Sequence, residues 1–142
     1  MRFWDSSALV PLCVRETPTD RLRELARETG PFVVWWATPV ECASGLARRV
    51  RDNTIPDRAR ETALDMLGEI MAAAVVIAPT AELRNRAKRL VRIHPLRAAD
   101  ALQLAAALVW AEDRPRHRDL VTLDARLAEA ARQEGFAVAG IS

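Results

Sequence analysis

Lysine is almost absent from this chain. Lys88 is the only one, and arginine supplies the rest of the 21 basic residues. Cysteine and histidine are scarce as well, at two each. Cys13 and Cys42 lie far apart and form no CxxC pair, which excludes a disulfide framework and a thiolate zinc site. His94 and His117 are equally isolated. These four residues are expected to be packed thiols and surface imidazoles. No apolar run reaches the roughly 20 residues that a membrane helix needs. The first residues lack the basic-then-apolar layout of a signal peptide, so a cytoplasmic protein without membrane contact is expected.

The composition is otherwise ordinary for a globular protein, with 50% apolar and 28% charged residues. A chain of 142 residues is most simply one domain, 1–142, able to bury a substantial core. Arginine in place of lysine suits bidentate contact with phosphate. The net charge is only +2, so contact with nucleic acid has to come from a local patch.

Turn residues divide the chain into short apolar runs alternating with helical patterns. "RFW", "FVVWWA", "VVIA", "DLVTL" and "FAVAG" read as strands. A helix from Ser6 to Val14 is expected to be short or kinked at Pro11. "TPTDRLRELARETG" reads as a helix closed by Gly30, and "TPVECASGLARRVRDN" as one capped by Thr38 with Pro39 at its first position. "PDRARETALDMLGEIMAAA", "TAELRNRAKRLVRI", "LRAADALQLAAALVWAED" and "DARLAEAARQEG" complete the set. Strands uninterrupted by polar residues and separated by helices predict an α/β fold. In it, a central parallel sheet of four to five strands is covered by helices on both faces, in three α/β/α layers.

In such a sheet every strand ends at one edge, where ligands of open α/β folds bind. Asp5 follows the first strand and Asp124 the fourth. Glu41 lies in the first turn of the helix after the second strand. Asp100 starts a helix that must finish at the amino edge to feed the strand at Leu120, so it also belongs to the carboxyl edge. Asp119 begins that strand and belongs to the opposite edge. Each acid has a local explanation: Asp5 and Asp124 as helix caps, Thr38 to Glu41 as a capping box, Asp100 as a dipole partner. Caps give no reason for the acids to converge. Two carboxylates about 5 Å apart repel by roughly 3 kcal/mol at an effective dielectric of about 20. Oxygen donors without His or Cys favour Mg²⁺ or Mn²⁺, which supports phosphodiester hydrolysis by activated water.

"DSSALV", "ECASGLARR", "AADALQLAAAL" and "VTLDARLAEAA", in that order, resemble the PIN-domain nucleases, and within them the VapC-type toxins of toxin–antitoxin pairs. The resemblance spans the chain. It implies a catalytic quartet of Asp5, Glu41, Asp100 and Asp124, with Asp5, Asp100 and Asp124 holding the metal. Ser7 and Thr122 would support the carboxylates or the phosphate. It further implies an RNA substrate, a cognate antitoxin covering the cleft, and a homodimer.

Arg48, Arg49 and the helical stripe Arg84, Lys88 and Arg92 are candidates for tracking an RNA backbone. Trp35 and Trp36, adjacent in a strand, are expected to point to opposite faces and fill the two helix layers. Trp4 and Trp110 are expected in the core. Two other readings compete. An aspartyl-phosphate protein, either a phosphohydrolase or a receiver, also uses a strand-end aspartate. It needs a phosphate-pairing lysine after a late strand, whereas Lys88 lies in a helical pattern. A catalytically inactive binding module is the other.

Overall fold

The computed structural model describes residues 1–141. Five strands form one parallel sheet: β1 (Arg2–Trp4), β2 (Phe32–Trp35), β3 (Val75–Ile77), β4 (Asp119–Val121) and β5 (Ala137–Ala139). Seven helices connect them: α1 (Ser6–Cys13), α2 (Thr19–Thr29), α3 (Thr38–Arg51), α4 (Asp57–Ala73), α5 (Ala81–Ile93), α6 (Ala98–Trp110) and α7 (Ala125–Glu134). The fold is a three-layer α/β/α sandwich.

The strands are apolar because both faces of the sheet are covered. Alternate side chains supply two cores. Phe3, Val33, Trp35 and Leu120 face α5, α6 and α7. Trp4, Val34 and Val121 face α1, α3 and α4. Phe3 pairs with Val33 on one side and Leu120 on the other, which fixes the register at the centre. Trp4 is fully buried there, its ring 4.9 Å from that of Phe32.

The strand order is β3-β2-β1-β4-β5. The chain starts in the middle, builds outward through β2 and β3, then returns to lay β4 and β5 on the other side of β1. The reversal leaves a crevice between the carboxyl ends of β1 and β4, the position where open α/β sheets bind ligands.

Several local expectations are corrected. β2 stops at Trp35, so Trp36 does not enter the second helix layer. It starts a turn with its amide on Ile77 O and its side chain is 58% exposed. Trp110 packs against the core as expected but is only partly buried, with Arg118 over its ring at 5.1 Å. His94 is no surface imidazole: it is buried, with Nε2 2.7 Å from Glu134 Oε2. Thr38 does not cap α3. The N-cap position is Ala37, no side chain caps the helix, and the capping box does not form. The reason is tertiary: Thr38 and Glu41 both turn to Gln103 on α6. Asp119, by contrast, sits at the amino edge as expected, where Arg2 Nε donates to it at 2.8 Å.

Candidate active site

Asp5, Glu41, Asp100 and Asp124 line one cavity of about 680 Å³ at the carboxyl edge. They arrive from four elements. Asp5 follows β1 directly as the N-cap of α1, and its amide continues the sheet by donating to Val121 O at 3.0 Å. Glu41 lies in the first turn of α3, Asp100 in the first turn of α6, and Asp124 is the N-cap of α7.

Asp5 and Asp124 also serve as caps. Asp5 Oδ2 accepts from the Ser7 amide at 3.4 Å, and Asp124 Oδ1 accepts from the Leu127 amide at 3.0 Å. Capping and convergence therefore coexist. Asp5 is 3% exposed and held by hydroxyls: Ser7 Oγ donates to Oδ2 at 2.5 Å, and Thr122 Oγ1 donates to it at 2.8 Å. Backbone amides orient those hydroxyls, Leu123 N on Ser7 Oγ at 2.9 Å and Asp124 N on Thr122 Oγ1 at 3.0 Å. Ser6 Oγ lies 3.4 Å from Asp5 Oδ1 and 3.3 Å from Glu41 Oε1, bridging the two acids.

The electrostatics follow from this crowding. Burial pushes the Asp5 carboxyl up, against the hydrogen bonds from Ser7 and Thr122. Burial, with added repulsion from Asp5, raises Glu41 to about 7. Burial, with repulsion from Asp124 and Asp5, raises Asp100 to about 6. Arg97 and Arg126 offset part of the charge on Asp100.

Among the described residues, no three His, Cys, Asp or Glu side chains already stand together as a coordination group. The donor set nonetheless fits a hard divalent cation. It consists of carboxylates alone, Asp5 Oδ1 has only a long contact to Ser6, and the acids repel one another across the cavity. Drawing them around a hard divalent cation would relieve that repulsion.

Arg48 and Arg49 also line the cavity, but differ in availability. Arg49 is occupied: Nε and Nη2 donate to the two Glu16 carboxylate oxygens at 2.8 and 3.0 Å, and Nη1 to Gly45 O at 3.0 Å. Arg48 is exposed and, among the described residues, forms no salt bridge. Arg84, Lys88 and Arg92 are exposed on α5 and none of them lines the cavity. Sequence reasoning missed Arg97, an exposed cavity residue at the N-cap of α6, and Gln103, the one polar residue buried within the apolar stretch of that helix. The signal for Gln103 was its isolation among Leu and Ala, one turn after Asp100.

The family model for the PIN domain matches residues 2–133. This chain belongs to the PIN domain family. The solved structure titled "Crystal Structure of FitAcB from Neisseria gonorrhoeae" has a similar fold, with a TM-score of 0.64 at 15% identity, covering 97% of this chain and 96% of that one. A search of curated proteins gave no match. In this PIN domain, the acids contributed by β1, α3, α6 and α7 share the cavity at the sheet reversal.

Proposed function

We propose that this PIN domain is a metal-dependent endoribonuclease and the toxin of a type II toxin–antitoxin pair, acting in the cytoplasm. The observation that carries the reading is the convergence of Asp5, Glu41, Asp100 and Asp124 on one cavity. In it, Asp5, Asp100 and Asp124 would hold Mg²⁺ or Mn²⁺. Such an ion, when bound, polarises a phosphoryl oxygen and lowers the pKa of a water.

The chain's own residues do the rest. Ser7 and Thr122 fix the Asp5 carboxylate through Oδ2 and leave Oδ1 to the cavity. Glu41 Oε1 shares the Ser6 hydroxyl with Asp5 Oδ1, which places Glu41 to act at the site directly or through a water. Arg48 on α3 and Arg97 at the N-cap of α6 flank the acids and bind phosphates of the RNA backbone. The α5 stripe of Arg84, Lys88 and Arg92 extends that contact beyond the cavity. No covalent intermediate is needed, so Ser6 and Ser7 stay hydrogen-bond donors, and the products carry a 5′-phosphate and a 3′-hydroxyl.

A protein partner fits the same edge. Val40 lines the cavity and is 72% exposed, close in sequence to the exposed Trp36. Apolar surface beside a charged cleft supports an antitoxin that covers it. A homodimer belongs to the same reading by family resemblance. The aspartyl-phosphate alternative lacks its lysine, because Lys88 is exposed on α5 and does not line the cavity.

The test is cleavage of total RNA with Mn²⁺, with a chelator, and with Asp100→Asn. Cleavage is expected from the wild-type chain with metal only, leaving 5′-phosphate ends. Chelator-resistant cleavage, or full activity in Asp100→Asn, contradicts the reading.

A further inference from the structure

Gln103 is fully buried in the middle of α6, among Ala101, Leu104, Ala105 and Leu108. An amide there gains nothing from apolar packing. Its Nε2 donates both of its hydrogens toward α3: to Thr38 Oγ1 at 3.1 Å and to Glu41 Oε2 at 3.0 Å. Its Oε1 is buried and has no hydrogen-bond partner. The orientation is dictated by chemistry. With Glu41 ionised its carboxylate only accepts, so the amide turns its NH₂ to Glu41 and leaves the carbonyl unpaired. The arrangement sacrifices one buried acceptor to hold one carboxylate.

The hold is directional. Gln103 takes Oε2, so Oε1 is left to Ser6 Oγ at 3.3 Å, and Ser6 in turn reaches Asp5 Oδ1 at 3.4 Å. Gln103 is three residues beyond Asp100, on the same side of α6. One helix therefore presents one acid and clamps a second that comes from α3, in the opposite helix layer.

We infer that Gln103 is a positioning residue, which fixes the Glu41 carboxylate through Oε2 so that Oε1 faces the other acids and a divalent cation bound among them. The inference rests on the metal-dependent reading above. It makes Gln103 part of the machinery without contact to metal or RNA. Outer partners that orient ligating or reacting carboxylates typically change metal affinity or activity by about 10–100-fold when removed.

The test is Mn²⁺ affinity, measured by paramagnetic resonance on the RNA-free chain, for wild type, Gln103→Met, Glu41→Gln and the double variant. Thermal unfolding without metal reads the structural cost separately. Gln103→Met is expected to weaken Mn²⁺ binding about tenfold or more in the wild-type background, and by less than about twofold once Glu41 is already Gln. Wild-type affinity in a folded Gln103→Met overturns the role of Gln103 alone. Equal losses in both backgrounds reduce Gln103 to a packing residue and also overturn it. If Gln103→Met does not fold, Gln103→Asn, one methylene shorter, withdraws the amide from Glu41, and unchanged affinity there is equally decisive. A wild-type chain that binds no Mn²⁺ overturns the nuclease reading itself and the Gln103 role with it.

Discussion

Thr122 Oγ1 donates to Asp5 Oδ2 at 2.8 Å, tying the end of β4 to the end of β1 through the most deeply buried acid of the cavity. The bond spans the reversal in strand order. Thr122 Oγ1 also accepts from the Asp124 amide at 3.0 Å, so one hydroxyl serves two of the four acids. Thr122→Val keeps the shape and removes both contacts. It is expected to lower cleavage activity by about 10–100-fold, while costing about 1–3 kcal/mol of stability. Steady-state cleavage beside denaturant unfolding separates the two effects.

The acids also set the pH dependence of stability. Burial and repulsion raise Asp100 to about 6 and Glu41 to about 7. The folded state therefore keeps protons that the unfolded chain releases from ordinary values of 3.8 and 4.5. Stability from these groups is present at low pH and is lost as pH rises through that window. The unfolding temperature of the metal-free chain is expected to fall between about pH 4 and about pH 7. Glu41→Gln should flatten the fall and raise the midpoint at the alkaline end. Added Mg²⁺ should restore the midpoint there, because bound cation stabilises the folded state.

Two neighbouring arginines should separate cleanly. Arg49 is committed to Glu16 and Gly45 O, whereas Arg48 points free at the cavity. Arg49→Ala is expected to cost about 1–3 kcal/mol, as a part-buried bidentate pair is lost. Arg48→Ala should leave stability within about 0.5 kcal/mol. It should instead raise KM for RNA several-fold and reduce the salt dependence of binding. Paired unfolding and cleavage assays check both.

Gly140 shows how the site depends on a residue outside it. Its φ is +95°, and a Cβ would stand 2.8 Å from Thr122 O. Backbone cannot yield there as a flexible side chain can, so Gly140→Ala combines strain with displacement of Thr122. The expected cost is about 1–3 kcal/mol. Activity should fall further than stability, since Thr122 holds Asp5. Cleavage at a temperature well below the unfolding midpoint makes the comparison.

Most of the framework was legible in the sequence, because it rests on patterns local to each element. Strands such as "FVVW" are apolar throughout because both sheet faces are covered, and helix starts at Thr80 and Asp124 carry side-chain caps on Leu83 and Leu127. The placing of Asp5, Glu41, Asp100 and Asp124 at one edge followed from the direction of chain travel alone. What escaped was decided by partners distant in the chain. Thr38 and Glu41 look like a capping box until Gln103, more than 60 positions on, captures both side chains. His94 looks isolated until the fold delivers Glu134, and Arg49 looks free until Glu16 folds beneath it. Trp36 escaped for a different reason: the strand ends two residues earlier than its apolar run.

The central claim is that the acids of the β1/β4 crevice share a divalent cation, and anomalous diffraction from a Mn²⁺-soaked crystal reads it directly. A single strong peak bounded by oxygens of Asp5, Asp100 and Asp124, within about 2.6 Å of each, is the expected result. Ordered Mn²⁺ elsewhere, or these carboxylates left apart at saturating metal, contradicts the account.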